Sequence, residues 1–257
     1  MCILTLALNV NPHFPLILIG NRDEFLNRPA DPLSNWNNVG IIAGKDKSAG
    51  GTWLGVSSEN SRWAIITNYR DPLNINLEAP TRGDLIPNYL KSNLSAEEHI
   101  AELKATLKSF NGFNLILGEG LNAWFVSNHE ERIEKLDPGF YGLSNDTLNT
   151  QWPKVTFLTS HFKEEVKNAS KINKEHLFEL LQNNSAAADK DLPNTGVGID
   201  WERKLSSVFI KTENYGTRCS SVLVLDDKNK LEFTERTYPI SKQESFYTTI
   251  NIPHFIK

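Results

Sequence analysis

The sequence predicts an α+β fold in which two antiparallel sheets pack together and helices cover their outer faces. Strand-like segments fill most of the first third of the chain, and two blocks with helical patterns follow, each succeeded by further strands. We find no internal repeat and no low-complexity tract in the sequence. A chain of 257 residues can form one large domain, so we expect residues 1–257 to fold as a single domain.

A hairpin is predicted at the start of the chain. Residues 3–10 are mostly apolar, Asn11-Pro12 makes a turn, and residues 15–20 form a second strand. This hairpin brings the polar run Asn21-Arg22-Asp23-Glu24 back beside Cys2. A thiol, an amine, a guanidinium and two carboxylates close together can form a thiolate nucleophile with its own base.

Short strands and a first helical block follow the hairpin. Residues 28–32 are typical of a turn-rich loop. Thr81 with Asp84 indicates a helix N-cap, and Ser95 opens a capping box ahead of apolar residues at helical spacing. The strands predicted in this half of the chain cover residues 39–43, 50–56, 62–68, 113–117, 123–126 and 132–136.

A second helical block begins at Pro153, a favourable residue for the first turn of a helix. Apolar residues recur at helical spacing from Val155 to Val166, and a second helix is predicted over residues 174–181. Residues 183–200 are polar and indicate a loop. The last predicted strands cover residues 208–211, 218–225, 231–236 and 245–250.

Composition restricts the classes of function. The net charge of −4 gives no electrostatic reason to expect nucleic acid or an anionic membrane as a partner. No segment approaches the roughly 18 apolar residues of a membrane-spanning helix, and the first apolar run lacks the basic start of a signal peptide. We therefore expect a cytoplasmic protein without stable membrane insertion.

Cysteine and histidine usage points away from disulfides and metals. The two cysteines, Cys2 and Cys219, argue against a disulfide framework and fit a reducing compartment. The six histidines show no metal-ligand spacing, so we expect no dedicated metal site. Cys219 follows Arg218 on a predicted strand, and we expect it to point away from Arg218 as a bystander.

Short motifs occur along the chain in a specific order. They are Met1-Cys2, Asn21-Arg22-Asp23-Glu24, Gly50-Gly51-Thr52-Trp53-Leu54-Gly55, Thr67-Asn68, Thr81-Arg82-Gly83, Gly142-Leu143-Ser144-Asn145 and Gly216-Thr217-Arg218. Together they closely resemble the NRDE family, also called the transport-and-Golgi-organisation family, from Cys2 to about Tyr238. That family is regarded as having the N-terminal-nucleophile (Ntn) hydrolase fold, so the resemblance implies a four-layer αββα sandwich.

Similarity to cysteine Ntn hydrolases, such as the penicillin and bile-acid amidases, implies roles for individual residues. Cys2 would attack an acyl carbon, and its α-amino group would act as the general base. Arg22 would hold the thiolate by charge, and Asp23 would orient the amine. The resemblance thus implies a catalytic set of Cys2, Arg22, Asp23, Asn145 and Arg218.

Asparagines and arginines supply further candidates. Asn145 and Asn68 resemble side-chain donors to an oxyanion, and Arg218 resembles the late arginine that closes such sites. The residues expected to bind substrate or ligand are Asn21, Glu24, Gly51, Thr52, Trp53, Asn68 and Arg82. The plainer alternatives are that the asparagines satisfy loop backbone, that Gly50-Gly51 makes a tight turn, and that Thr81-Arg82-Gly83 caps a helix.

The chain departs from the amidases at two places. Arg22 and Asp23 are adjacent, whereas the corresponding residues of the amidases are three positions apart. Because neighbours on a strand point to opposite faces, either the strand ends by Gly20 or Arg22 and Glu24 share the site. We favour Arg22 and Asp23. Lys45 stands where the family more often has arginine, which favours a structural role for that position.

Two classes of function follow from this resemblance. An enzyme would hydrolyse a non-peptide C–N bond of a small linear amide, or transfer its acyl group, without a required cofactor. A carrier would bind haem or acyl-coenzyme A without turnover, since family members have been linked to haem movement and to lipid metabolism. Removal of Met1, which the small Cys2 side chain favours, would free the amine that the enzyme needs. The sequence leaves the oligomeric state open.

Overall fold

The computed structural model describes residues 2–36, 39–240 and 244–256. The strands within these residues are β1 Cys2–Leu8, β2 Leu16–Phe25, β3 Ala30–Trp36, β4 Ile41–Asp46, β5 Leu54–Ser57, β6 Arg62–Asn68, β7 Phe113–Glu119, β8 Asn122–Ser127, β9 Arg132–Lys135, β10 Gly139–Leu143, β11 Tyr215–Leu225, β12 Leu231–Thr237 and β13 Phe246–Ile252. The α-helices are α1 Leu85–Lys91, α2 Ala96–Lys104, α3 Pro153–Val166, α4 Lys174–Leu181 and α5 Ile199–Leu205.

The strands form two antiparallel sheets. The first sheet has the order β10-β1-β2-β11-β12-β13, and the second has the order β3-β4-β5-β6-β7-β8-β9. In the first sheet Cys2 pairs with Arg22, and β2 pairs along its whole length with β11. The second sheet is a meander in which each strand pairs with its neighbour in sequence.

Alternation along β1 and β2 separates two cores. Leu4 and Leu6 belong to the core that includes the second sheet, whereas Ile3 and Ala7 pack with α3 and α4. Helix α1 contacts β5 and β6 of the second sheet, and α2 contacts β7. The molecule is therefore a mixed α/β protein with two antiparallel sheets, consistent with the α+β sandwich expected from the sequence.

Most of the expected elements are present, and Ser95 forms the expected capping box at α2. The loop expected at residues 28–32 is wrong, because Ala30–Trp36 forms β3 at the edge of the second sheet, where proline is tolerated. The strand expected at 208–211 is also wrong, since that segment makes one isolated bridge. β10 and α5 were not predicted. No helix in the described part of the chain has the length and apolarity to cross a bilayer.

Candidate functional site

A cavity of about 290 Å³ lies where β1 begins, between the ends of the two sheets. The first sheet contributes Arg22 and Arg218 to its walls, and the second sheet contributes Ile66. Of the five residues expected to be catalytic, Cys2, Arg22, Asp23 and Arg218 line this cavity. The strand order therefore gathers residues from both ends of the sequence around one space.

Cys2 is fixed in the cavity wall by the start of β1. Its side chain is 6% exposed, and its carbonyl accepts a hydrogen bond of 2.9 Å from Ser144 Oγ. Burial raises the pKa of the Cys2 thiol, and the negative charge of Asp23 adds to this. The positive charge of Arg22 and a hydrogen bond from the Asp23 backbone N–H lower that pKa in part. A base must therefore remove the thiol proton before Cys2 can attack. Met1 lies outside the described residues.

A carboxylate holds Arg22 in place at the cavity wall. Arg22 Nη2 donates to Asp46 Oδ2 at 2.7 Å, and Arg28 Nε donates to the same oxygen at 2.6 Å. Burial alone would raise the pKa of Asp46, but hydrogen bonds from Arg28 and the Ala49 backbone hold it below its usual value. Arg22 Nη1 is buried and has no hydrogen-bond partner among the described residues.

Strand alternation decides the placement of Asp23. β2 continues to Phe25, so the alternative in which the strand ends by Gly20 is wrong. Arg22 and Glu24 share the cavity face with Cys2, and Glu24 Oε2 lies 3.8 Å from Arg22 Nη2. Asp23 borders the cavity, but its carboxylate accepts a hydrogen bond of 2.7 Å from Thr217 Oγ1 on β11. Arg22 and Glu24 thus share the cavity face, and the preferred pairing of Arg22 with Asp23 stays a prediction, since Asp23 also borders the cavity.

A β-bulge at Arg218 changes which side chains of β11 reach the cavity. The pairing with β2 shifts between Thr217 and Cys219, so Arg218 is the extra residue. Arg218 Nη1 donates to the carbonyl of Arg28 at 2.7 Å. Both Arg218 and Cys219 line the cavity as a result. The expectation that Cys219 points away from Arg218 is wrong, because a bulge interrupts strict alternation.

Cys2 and Cys219 flank Arg22 in one row across the sheet, since each pairs with Arg22 from its own side. Two strand spacings separate their Cα atoms by about 10 Å, which is beyond the reach of a disulfide. Burial, together with the charge of Glu235, raises the pKa of the Cys219 thiol well above its usual value. Cys219 therefore rests as a protonated thiol in the same wall.

The asparagines expected to contact substrate bond to the protein instead. Asn145 is 1% exposed and donates through Nδ2 to the Asn68 carbonyl at 2.9 Å. It lies behind Asn68, which lines the cavity. Asn21 is fully buried on the opposite face, where it donates to the carbonyls of Leu181 and Val208 at 2.8 and 2.9 Å. Neither Asn145 nor Asn21 lines the cavity, and the oxyanion role of Asn145 and the ligand contact of Asn21 stay predictions.

Two loops meet to form another wall of the cavity. A Cβ at Gly51 would lie 2.2 Å from the Gly83 carbonyl oxygen, so only glycine lets these backbones approach. Thr52 donates its backbone N–H to that same oxygen at 3.2 Å. Thr52, Trp53 and Arg82 line the cavity, as expected for ligand contacts. Gly51 shapes this wall because its lack of a side chain lets the two loops pack closely.

A second cavity of about 540 Å³ adjoins the first and shares Asn68, Arg82 and Asn111 with it. Tyr69 and His129 stack in its wall with their ring centres 3.7 Å apart. Arg82 therefore stands between two spaces. In the described part of the chain, no group of three or more His, Cys, Asp or Glu side chains is arranged to hold a metal ion.

Three charged residues near the site were not predicted from the sequence. Asp46 binds Arg22, and Glu235 lines the cavity beside Cys219. Lys154, in the first turn of α3, is only 4% exposed. Burial lowers the pKa of Lys154 to about 7. The sequence does contain an indication of its special role, since a lysine in the first turn of a helix is unfavourable next to the positive end of the helix dipole.

Fold and site together define an α+β protein with a cysteine at the start of an internal strand, facing an arginine-lined cavity. The chain belongs to the family described as Transport and Golgi organisation 2, whose model matches residues 1–239. It is 31% identical over 270 residues to the Transport and Golgi organization protein 2 homolog of Bos taurus, with 97% of each chain covered. The homolog of Homo sapiens is 30% identical over 92% of this chain and 93% of its own length. These matches confirm the family resemblance found in the motifs.

Proposed function

We propose that the protein hydrolyses or transfers the acyl group of a small linear amide through Cys2. The observation that carries this proposal is the position of Cys2, in the wall of an arginine-lined cavity that Asp23 also borders. A nucleophile in a cavity with positively charged neighbours suits a reaction in which negative charge develops on oxygen. Arg22 and Arg82, which line the cavity, are the donors proposed for that charge.

The proposed reaction has two stages. The Cys2 sulfur bonds to the acyl carbon, its proton passes through a base to the leaving nitrogen, and the C–N bond breaks. Water then attacks the thioester, which releases the carboxylic acid and restores the thiol. The base proposed is the α-amine of Cys2 after removal of Met1, with Asp23 as its orienting carboxylate. N-terminal sequencing of protein purified from its own host tests the removal of Met1.

The layering proposed for this enzyme is that of an Ntn hydrolase. Contacts of α3 with β1, of α4 with β11, and of α1 with β5 and β6 support an order of helices, sheet, sheet and helices. A crystal structure of the processed chain tests it, and an ordered α-amine far from Asp23 contradicts it.

Intact mass spectrometry tests the chemistry directly. The protein is incubated with hexanoyl p-nitroanilide or with hexanoyl-coenzyme A, and we expect one hexanoyl group to appear on Cys2. Cys2→Ala should abolish the adduct. Cys219→Ala is the matched control, because it removes the other buried thiol of the same wall, and it should retain the adduct. Absence of an adduct with both compounds contradicts the proposal.

The carrier function is a second candidate, favoured by the raised pKa of the Cys2 thiol and by the arginines of the cavity wall. The guanidinium groups of Arg22, Arg82 and Arg218 suit the phosphates of acyl-coenzyme A or the carboxylates of haem. Cys2 would supply the sulfur ligand to haem iron. Reversible stoichiometric binding of either compound, without an acyl adduct, supports the carrier. The cytoplasmic location stays a prediction that cell fractionation tests.

A further inference from the structure

A cluster of buried charges lies behind the strand that carries Cys2. Helix α3 runs alongside β1, and at its far end the Val166 carbonyl accepts a hydrogen bond of 2.7 Å from Asn11 Nδ2. The first turn of α3, with Lys154, therefore lies at the end of β1 where Cys2 is. Negative charge on Asp23 or on Cys2 raises the pKa of Lys154, against the lowering caused by burial.

The other charged groups around Lys154 are engaged with each other. Arg70 Nη1 forms an ion pair of 2.8 Å with Glu202 Oε2, and Arg70 lies 4.8 Å from the Trp152 ring. Lys154 Nζ lies 6.0 Å from the same ring. Glu202 forms its ion pair with Arg70, and the charge of Asp23 favours the ammonium form of Lys154 more strongly than that of Glu202 does.

The buried position of the Lys154 ammonium group destabilises the folded state. Its side chain is 4% exposed, and its Nζ has no hydrogen-bond partner among the described residues. Burying an ammonium group without full compensation destabilises a protein by several kcal/mol. The position in the first turn of α3 adds the repulsion of the helix dipole. Packing alone would favour methionine, which has a similar shape and no charge.

We propose that Lys154 is a positioning residue, whose ammonium group keeps the Asp23 carboxylate charged beside the Cys2 nitrogen. Asp23 then accepts a hydrogen bond from the Cys2 amine, and the positive charge of Lys154 cancels the negative charge that would oppose a thiolate at Cys2. This inference rests on the proposed function, because it assigns Lys154 to the Cys2 chemistry.

Neighbouring groups also affect the charges of Asp23 and Lys154. Arg22 favours the charged form of Asp23 from the same strand, and Tyr215 of β11 donates its hydroxyl to the Asp23 carbonyl at 3.0 Å. Arg70 disfavours the ammonium form of Lys154, while Glu202 favours it. Lys154 and Asp23 are the members of this set whose charge changes near neutral pH, with pKa values of about 7 and about 6.

The test measures the rate of Cys2 alkylation by iodoacetamide at about pH 6.5, with peptide mass analysis to separate Cys2 from Cys219. At this pH, between the pKa values of Asp23 and Lys154, both groups carry charge, so Lys154→Met should slow the alkylation of Cys2 roughly tenfold and Lys154→Arg should restore most of the rate. Lys163→Met, on the exposed side of the same helix, should leave the rate unchanged. In an Asp23→Asn background the effect of Lys154→Met should shrink.

The outcomes separate this inference from the proposed function. An unchanged alkylation rate at about pH 6.5 in a folded Lys154→Met protein overturns the inference, even if hexanoyl adducts still form on Cys2. A slower rate without any hexanoyl adduct overturns the hydrolase and leaves the positioning role of Lys154 intact. Urea unfolding of the same variants distinguishes a purely structural role: in that case Lys154→Met loses stability, and Lys154→Arg does not restore the alkylation rate.

Discussion

Burial of the Asp23 carboxyl makes the stability of the protein depend on pH. Its pKa is raised from 3.8 to about 6, chiefly by burial. Between these values the folded state binds more protons than the unfolded state, so this contribution to stability is present below about pH 4 and is lost as the pH rises through 6.

Asp23→Asn should therefore gain stability relative to the parent as the pH rises from 4 to 7. We expect a gain on the order of 1–3 kcal/mol in the free energy of unfolding, measured with urea at both pH values. Asp137→Asn, at an exposed position, is the matched control. A difference between Asp23→Asn and parent that stays constant with pH contradicts the prediction.

The Arg70–Glu202 ion pair gives a second prediction at the residue scale. The two side chains are 5% and 3% exposed, and Glu202 Oε1 also accepts two hydrogen bonds of 2.7 Å from Thr195. Glu202→Gln leaves the Arg70 charge buried without its partner, so we expect a loss of about 3–5 kcal/mol in urea unfolding. The double variant Arg70→Met, Glu202→Leu should lose much less. Equal losses in both variants would refute this account.

The residues that could be predicted from sequence are those whose motif positions converge in space. Cys2, Arg22 and Arg218 line one cavity because β2 lies between β1 and β11. Asn21 belongs to the same motif, yet strand alternation turns it to the opposite face. Lys154 was missed because its importance comes from what surrounds it, and a sequence does not show which lysine will be buried.

The contact between the Gly51 and Gly83 loops can be tested at the scale of elements. Gly50 and Gly51 are neighbours with opposite constraints: Gly50 has φ of +80° and open space around its Cα, whereas Gly51 has a backbone oxygen 2.2 Å from its Cβ position. Gly51→Ala should push the loops apart and widen the cavity. We expect faster iodoacetamide alkylation of Cys2 at fixed pH, and about 2–4 kcal/mol less stability.

Gly50→Ala is the control for that experiment. It adds backbone strain of about 1 kcal/mol without a steric clash, so the alkylation rate of Cys2 should stay close to that of the parent. If the two variants change the alkylation rate equally, the loop contact does not shape the cavity.

Elements with strong local signals were predictable, and elements defined by their neighbours were not. The Ser95 capping box marks the start of α2 with two reciprocal hydrogen bonds. β2 extends through polar residues to Phe25 because β11 supplies its hydrogen bonds. This long-range pairing cannot be predicted from the local sequence of β2. β10 and α5 are short, and α5 follows Gly198 without a side-chain cap. Such elements form only against the rest of the fold.

The sheet order has a measurable effect at the scale of the whole molecule. β1 is paired on both sides, with β2 and with β10, and its side chains are buried from Cys2 to Leu8. We expect amide hydrogens of β1 to exchange only through global unfolding, and those of the edge strand β13 to exchange faster. Mass spectrometry of exchanged peptides measures both. Faster exchange in β1 than in β13 would contradict the strand order.

The neighbours of the first hairpin are made late during synthesis of the chain. β10 comes at Gly139–Leu143 and β11 at Tyr215–Leu225, so β1 and β2 leave the ribosome long before the strands that enclose them. At 5–20 residues per second, the stretch between β2 and β11 takes on the order of 10–40 s to synthesise. During that interval the first residues are open to an aminopeptidase. The order of translation therefore gives the start of the chain a period in which β10 and β11 do not yet enclose the first hairpin.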